Sequence, residues 1–196
     1  MSDNRRMGPK DSETRERMFD AVERVLKLEG YDKLTARRIA NEAGFNHQTV
    51  YYYFKDMGEL IVATFRRRVT ASLVQQKEAA QSASPLRALL RVFDSVPDAK
   101  IAAEFSPLVS RIPGLREEVV AYLNESTKIH QDLITKLFAE REVSKHVALD
   151  PAVVALLIRA FSQTIAHESA LGFSAGHQEA RELIEQCLKF LDPLAE

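Results

Sequence analysis

In segment after segment of this 196-residue chain the apolar side chains return every third or fourth position, and no run alternates long enough to make a half-buried strand. That period leaves a packed set of helices as the available architecture. "SETRERMFDAVERVLKLEG" sets Met18, Ala21, Val22, Val25 and Leu26 on one stripe and stops at Gly30, a residue that readily ends a helix. "TARRIANEAG" opens at Thr35, a good N-cap, turns Ile39, Ala40 and Ala43 inward, and ends at Gly44. A third helix, roughly Asn46 to Phe54, follows after about three residues. Asp56 and Glu59, at capping-box spacing, open a fourth, whose stripe of Leu60, Ile61, Phe65, Val69 and Leu73 runs to about Gln81. Pro85, Pro97, Pro113-Gly114, Asp150-Pro151 and Gly176 mark five further starts. The expectation is an all-α fold of about nine helices.

Composition narrows the setting. The net charge is −1, so any footprint for nucleic acid must be local. The single Cys187 excludes an internal disulfide framework and suits a reducing compartment. No apolar run approaches the ~18 residues of a membrane span, and the polar start "MSDNRRMGPKDSETRERM" lacks the apolar core of a secretory signal. A cytoplasmic protein without a membrane partner is expected.

The second and third helices are joined by "AGFN", with glycine at the break, which is helix-turn-helix spacing. The third helix then carries Tyr51, Tyr52 and Tyr53 in succession. At about 100° per residue, Val50 and Phe54 fall some 40° apart and mark the inner face. Tyr52 points almost directly away, Tyr51 and Tyr53 flank, and Gln48 and Thr49 lie on the outward arc. Two turns of helix cannot bury their whole circumference in so small a domain, so packing does not account for all three tyrosines. Phenolic hydroxyls can donate to phosphates, tyrosine rings can meet thymine methyls, glutamine suits adenine, and threonine can meet several base edges.

The stretch "LTARRIANEAGFNHQTVYYYFKDMGEL", Leu34 to Leu60, with the amphipathic helix before it, resembles the DNA-binding region of the TetR family of transcriptional regulators. The matching positions are Thr35, Ile39, Ala40, Ala43, Gly44, the run T-V-Y-Y-Y-F and the later E-L; they cover roughly Glu13 to Phe65, about a quarter of the chain. The resemblance implies a DNA-binding domain over residues 1–58, with an arm at 1–12 and the helix-turn-helix at 35–54, and a helical ligand-binding and dimerisation domain over 59–196. It implies a homodimer with each third helix in the major groove of one half-site of a palindromic operator in double-stranded DNA. His47, Gln48, Thr49 and Tyr51 become groove-facing candidates, and Tyr52 and Tyr53 phosphate contacts. Thr35 and Arg37 stand at the start of the second helix, whose N-terminus favours phosphate; Arg38 is the weaker candidate. Many relatives have lysine just inside the fourth helix. Met57 stands there in this chain, and Lys55 is the candidate replacement. Arg5, Arg6 and Lys10 could track phosphates from the arm, whereas Arg66-Arg67-Arg68 spreads over about 200° of helix and reads as a solvated run.

The remainder carries no motif. The last helix has an apolar stripe of Ala180, Ile184, Cys187, Leu188 and Leu191, and the one before it has Val153, Val154, Leu157, Phe161 and Ile165. Two such helices per subunit would make a four-helix dimer interface, or both could bury inside one monomer; the resemblance favours the dimer, with Ile184, Cys187, Leu188 and Leu191 assigned to it. Polar residues set into apolar stripes are the candidates for a ligand: Ser126 and His130 on the seventh helix, Gln163 and His167 on the eighth, with Phe93, Phe105, Phe138 and Phe161 as walls. Such a site fits a small, largely apolar effector. No catalytic motif is present: no Gly-rich phosphate loop, no G-x-S-x-G, and no H-x₃-H or H-E-x-x-H among His47, His130, His146, His167 and His177. No catalytic residue, metal site or cofactor is expected. The expected function is a DNA-binding transcriptional regulator, a repressor relieved by a small molecule; the alternatives are a helical enzyme with a dispersed site and a helix-turn-helix interaction module without a ligand.

Overall fold

The computed structural model describes residues 12–93, 96–140 and 150–191, with the side chains of 96–99, 190 and 191 left aside. The candidate arm residues Arg5, Arg6 and Lys10, together with His146, lie outside them. Among the described residues there are nine α-helices, two single 3₁₀ turns and no strand: α1 (Glu13–Glu29), α2 (Ala36–Ala43), α3 (His47–Tyr53), α4 (Met57–Ala80), α5 (Pro85–Phe93), α6 (Val96–Phe105), α7 (Leu115–Glu140), α8 (Pro151–Ala170) and α9 (His177–Leu191). No described helix is long and apolar enough to cross a membrane.

Local chemistry sets the boundaries. Ser12 accepts from the Arg15 N–H and Thr35 from the Arg38 N–H, so α1 and α2 each begin on a hydroxyl cap. Asn46 caps α3 by accepting from the Gln48 N–H. Gly30 ends α1 at φ 81°, and Gly44 ends α2 in the left-handed region at φ 75°. Beyond Gly44, the Phe45 N–H closes on the Ala40 carbonyl at 2.8 Å, finishing the turn into α3. Asp56 accepts from the Glu59 N–H, and the Glu59 carboxylate reaches back to the Lys55 N–H, one residue before the expected reciprocal partner.

The chain packs as two compact units. The first comprises Met1–Arg68 and Ile101–Val119, the second Val69–Lys100 and Val120–Glu196. The unit that carries the helix-turn-helix therefore extends beyond residue 58. Its buried apolar side chains include Met18, Val22 and Leu26 of α1, Ile39 and Ala40 of α2, Val50 and Phe54, and Leu60, Ile61 and Phe65 of α4. Phe105, from the end of α6, meets Phe65 with ring centroids 5.2 Å apart. The Glu104 carboxylate accepts from the Tyr31 N–H at 2.9 Å. These contacts bind residues 101–119 to the DNA-binding segment across a long stretch of sequence.

The arginine run on α4 is not a solvated stripe. Arg67 lies within 3.0 Å of Glu16, Asp20 and Glu23, Arg68 pairs with Glu23, and Arg66 pairs with Glu118. Three carboxylates presented along α1 answer Arg67 and Arg68 and hold α1 to α4, while Arg66 is met by Glu118 of α7.

The second unit has its own core: Ala79, Leu86, Leu89, Leu133, Ile134, Leu137, Phe138, Ala155 and Leu188 are buried together, with Ile158 and Ile184 packed against them. A polar line runs through its interior. Gln76, fully buried, donates to Ser72 and Tyr122 and accepts from Ser126 at 2.7 Å. A buried amide in the middle of a helix is tolerated here because both its ends are satisfied.

Candidate nucleic-acid interface

Seven residues make a helix too short to hold itself together in water, so the placing of α3 depends on its neighbours. Val50 is its one fully buried residue, and Phe54, also buried, anchors the exit. The rest of the wheel turns outward as the spacing predicts. His47 and Gln48 are exposed, Tyr51 and Tyr52 are 43% and 50% exposed, and Thr49 and Tyr53 are half-buried. Tyr53 packs edge-on against Tyr52 with centroids 5.0 Å apart, which steadies both rings on the surface. Thr35, Arg37 and His47 come together along one cleft, of about 580 Å³, with Asn41, Phe45 and Asn46. Lys55 is exposed beside the exit of α3, and Met57 is half-buried.

Arg38 is otherwise engaged. Its guanidinium pairs with Glu29 and Glu42, and the Glu29 and Glu42 carboxyls are held below the ordinary carboxylate range, the first by its hydrogen bond to Arg38 and the second by those to Arg24 and Arg38. Arg38 binds the end of α1 to α2, and Arg37 is the outward cation of the pair.

Two residues of the site are invisible to a reading by motif. From α1, Arg15 donates to the Tyr53 carbonyl at 3.1 Å and lies 4.2 Å from the centre of the Phe54 ring. Also from α1, Arg17 donates to the Ala43 carbonyl at 2.7 Å and lies 4.4 Å from the centre of the Phe45 ring. The last residue of α2 and the last of α3 are thus gripped alike: a guanidinium takes the terminal carbonyl and covers the aromatic side chain just beyond it. A positive charge at a helix C-terminus also opposes the negative end of the helix dipole. The grip crowds Gly44, where an added Cβ would sit 3.0 Å from the Arg17 guanidinium. Arginine two residues from arginine near the start of an amphipathic helix was the available signal, but it names no partner.

The expected ligand residues are only partly gathered. Phe105 belongs to the first unit, where Phe65 covers it, and so leaves the set. Gln163 and His167 are exposed on α8 rather than turned inward. Ser126 is spent on Gln76, and Phe138 is part of the second unit's core. His130 is 2% exposed with Phe93 edge-on at 5.4 Å, and its Nε2 has no hydrogen-bond partner among the described residues. Burial, helped by the positive charge of Arg159, brings its pKa down to about 4. Phe161 lines a separate cavity of about 220 Å³ between α5, α8 and α9.

The stripe assigned to dimerisation is also redistributed. Leu188 is buried in the second unit's own core and Ile184 packs on it, because this side of α9 turns toward α5 and α7 rather than outward. Cys187 is exposed, and the side chain of Leu191 lies outside the described residues. On α8 and α9 the large apolar side chains left in the open are Val153, Leu156, Leu157 and Leu183; Leu171 and Phe173, between the two helices, and Val74 and Val120 are exposed as well. Among the described residues no group of three or more His, Cys, Asp or Glu side chains is placed to hold a metal ion.

Residues 19–64 match the family model of bacterial regulatory proteins of the tetR family. Among curated proteins none matches the chain in sequence. Solved structures share its fold at low identity. A transcriptional regulator from Rhodococcus sp. Rha1 is 16% identical with a TM-score of 0.73, covering 93% of this chain and 99% of its own. NalD, the secondary repressor of the MexAB-OprM multidrug efflux pump in Pseudomonas aeruginosa, is 18% identical with a TM-score of 0.63, over 91% of this chain and 96% of its own. SmeT, the repressor of the Stenotrophomonas maltophilia multidrug efflux pump SmeDEF, is 18% identical with a TM-score of 0.58, over 80% and 78%.

Proposed function

The chain belongs to the TetR family of DNA-binding transcriptional regulators, and from that premise we propose that it is a homodimeric repressor whose grip on a palindromic operator is released by a small molecule bound in its second unit. The observation that carries the DNA-binding part is the outward face of α3. Gln48, Tyr51 and Tyr52 are exposed on a helix whose opposite side is anchored by Val50 and Phe54. In this reading His47, Gln48, Thr49 and Tyr51 meet base edges, while Tyr52, Tyr53, Thr35, Arg37 and Lys55 fix the backbone. Repression is supported by the resemblance to NalD and SmeT, both repressors of efflux pumps.

Dimerisation is assigned to the open apolar side chains Val153, Leu156, Leu157 and Leu183. In a dimer the two copies of α3 lie one helical turn of DNA apart, about 34–36 Å, or a multiple of it. Helix α4 gives the coupling a route. Its 24 residues are unbroken, with Leu60, Ile61 and Phe65 buried in the first unit and Gln76 and Ala79 in the second. An effector that binds the DNA-incompetent state more tightly shifts the balance by that difference in affinity and no more. Operator DNA must weaken the effector by the same factor.

The test is selection of random duplexes by the purified protein, followed by titration of the chosen duplex at several salt concentrations. A palindromic preference with affinity falling steeply as salt rises is expected. A selected pool with no shared sequence rejects the reading.

A further inference from the structure

Helices α1 and α2 carry five arginines, and the fold spends four of them on itself. Arg15 and Arg17 hold the Tyr53 and Ala43 carbonyls, Arg24 pairs with Glu42, and Arg38 pairs with Glu29 and Glu42. Arg37 has no hydrogen bond or ion pair among the described residues, and neither has the side chain of Asn41. Both are exposed, four residues apart on α2. That spacing places them about 40° apart around the helix and about 6 Å apart along it, so they are neighbours on one face. Both line the cleft between α2 and α3, whose lining carries no carboxylate. The far wall of the cleft is already set: the Arg17 guanidinium lies 4.4 Å from the centre of the Phe45 ring, and Asn46 is fixed by capping α3. Thr35, at the near end, accepts from the Arg38 N–H and keeps its own O–H to donate.

We propose that Asn41 is a DNA-backbone contact: with Arg37 it seats one phosphate of the duplex in the cleft between α2 and α3. The guanidinium supplies charge and a planar fork of N–H donors, and the Asn41 amide supplies a neutral donor one turn further along. Asparagine can also read adenine, but that needs both ends of the amide laid along a base edge in the groove. Asn41 has a short side chain and lines a concavity, so it cannot reach down to a flat edge. A phosphate projects from the duplex and can enter. The recognition helix is thereby fixed in register from α2 by a contact that carries no sequence information. The proposal rests on the reading that Arg37 meets the DNA backbone, and it adds a residue that neither the helix-turn-helix spacing nor the tyrosine run singles out.

The experiment titrates the full-length protein and three variants with a random-sequence duplex at several salt concentrations. Asn41→Ala should weaken binding about threefold to tenfold for each subunit engaged, the size of one neutral hydrogen bond, and leave the salt slope unchanged, because an amide displaces no counterion. Arg37→Met should lower the slope by about one per subunit. Asn41→Asp should weaken binding more than Asn41→Ala, by a factor that shrinks as salt screens the repulsion. Alanine is the better helix former at this exposed position, so a melting temperature no lower than wild type separates a lost contact from a damaged fold. On a selected duplex, replacing single phosphates by methylphosphonate should reveal one position per half-site that weakens the wild type and costs at least threefold less in both Asn41→Ala and Arg37→Met. Asn41→Ala binding like wild type, a changed base preference in that variant, or coupling of the two residues to different phosphates would each overturn the proposal. The affinity measurements need no selected sequence, so a failed duplex selection leaves them readable, and failure at Asn41 leaves the selection intact.

Discussion

Replacing Arg15 by methionine tests whether the recognition helix is held from α1. The guanidinium makes one charged hydrogen bond, to the Tyr53 carbonyl at 3.1 Å, and lies 4.2 Å from the centre of the Phe54 ring. A hydrogen bond to a charged group contributes about 1.5–3 kcal/mol, and a cation over a ring about 0.5–1 kcal/mol where partly exposed. Arg15 is half-buried, which favours the middle of both ranges, and its buried Nε has no partner among the described residues, which offsets part of the gain. Methionine keeps the apolar stem and a sulfur near the ring. The net loss should therefore be about 2 kcal/mol, a factor of about 30 in a local opening equilibrium. Amide exchange reads it directly. The Phe54 N–H, bonded to the Val50 carbonyl at 2.9 Å, should exchange about 30-fold faster, while amides in the middle of α1 change little. The salt dependence of DNA binding should stay as in wild type, since this guanidinium is engaged by a carbonyl and not a phosphate. Exchange at Phe54 within threefold of wild type would refute the reasoning. So would a salt slope smaller by about one, the mark of a lost phosphate contact.

Three further outcomes are expected. Tyr52→Phe should weaken specific and non-specific DNA by similar factors, on the order of 1 kcal/mol for one lost hydrogen bond, whereas Thr49→Ala should alter base preference at one or two positions; an unchanged selected-site profile for Thr49→Ala removes it from base reading. Leu157→Glu, at a position 59% exposed, should give a folded monomer in sedimentation, whereas Leu188→Glu, at a position 7% exposed in the second unit's core, should unfold that unit by burying an unpaired charge; a dimeric Leu157→Glu protein moves the interface elsewhere. His130 has its pKa lowered to about 4 from an ordinary 6.5, first by burial. The unfolded chain therefore binds the extra proton between those values, so stability is full above about pH 6.5 and falls as the pH drops toward 4, by on the order of 3 kcal/mol. His130→Leu should flatten urea-denaturation stability across that window, and an unaltered slope would place the titration elsewhere.

The helix boundaries were legible because short-range chemistry sets them. Ser, Thr and Asn caps, Gly30 and Gly44 act within a few residues of themselves, and the helical period shows which way Val50 and Phe54 must turn. Contacts between distant segments were not legible. Nothing near Phe105 in the sequence says that it will meet Phe65 rather than line a pocket with His130. The stripe on α9 has the pattern of an interface, but the same pattern serves a core, and only the position of α5 and α7 decides that Leu188 is inside. The grip of Arg15 and Arg17 was hidden for the same reason: it joins side chains near the start of α1 to carbonyls 26 and 38 residues later. Arg66-Arg67-Arg68 reads as a basic run until Glu16, Asp20 and Glu23 are placed beside it.

Helix α3 gives only Val50 among its seven residues to the interior, and it is kept in place by Phe54 and by Arg15, both outside the helix itself. The fold makes little demand on what occupies positions 47, 48, 51 and 52. On the reading proposed above, a lineage carrying this scaffold can exchange those residues one at a time, arriving at a new operator without passing through an unfolded ancestor. The recognition surface is free to drift because the architecture does not depend on it.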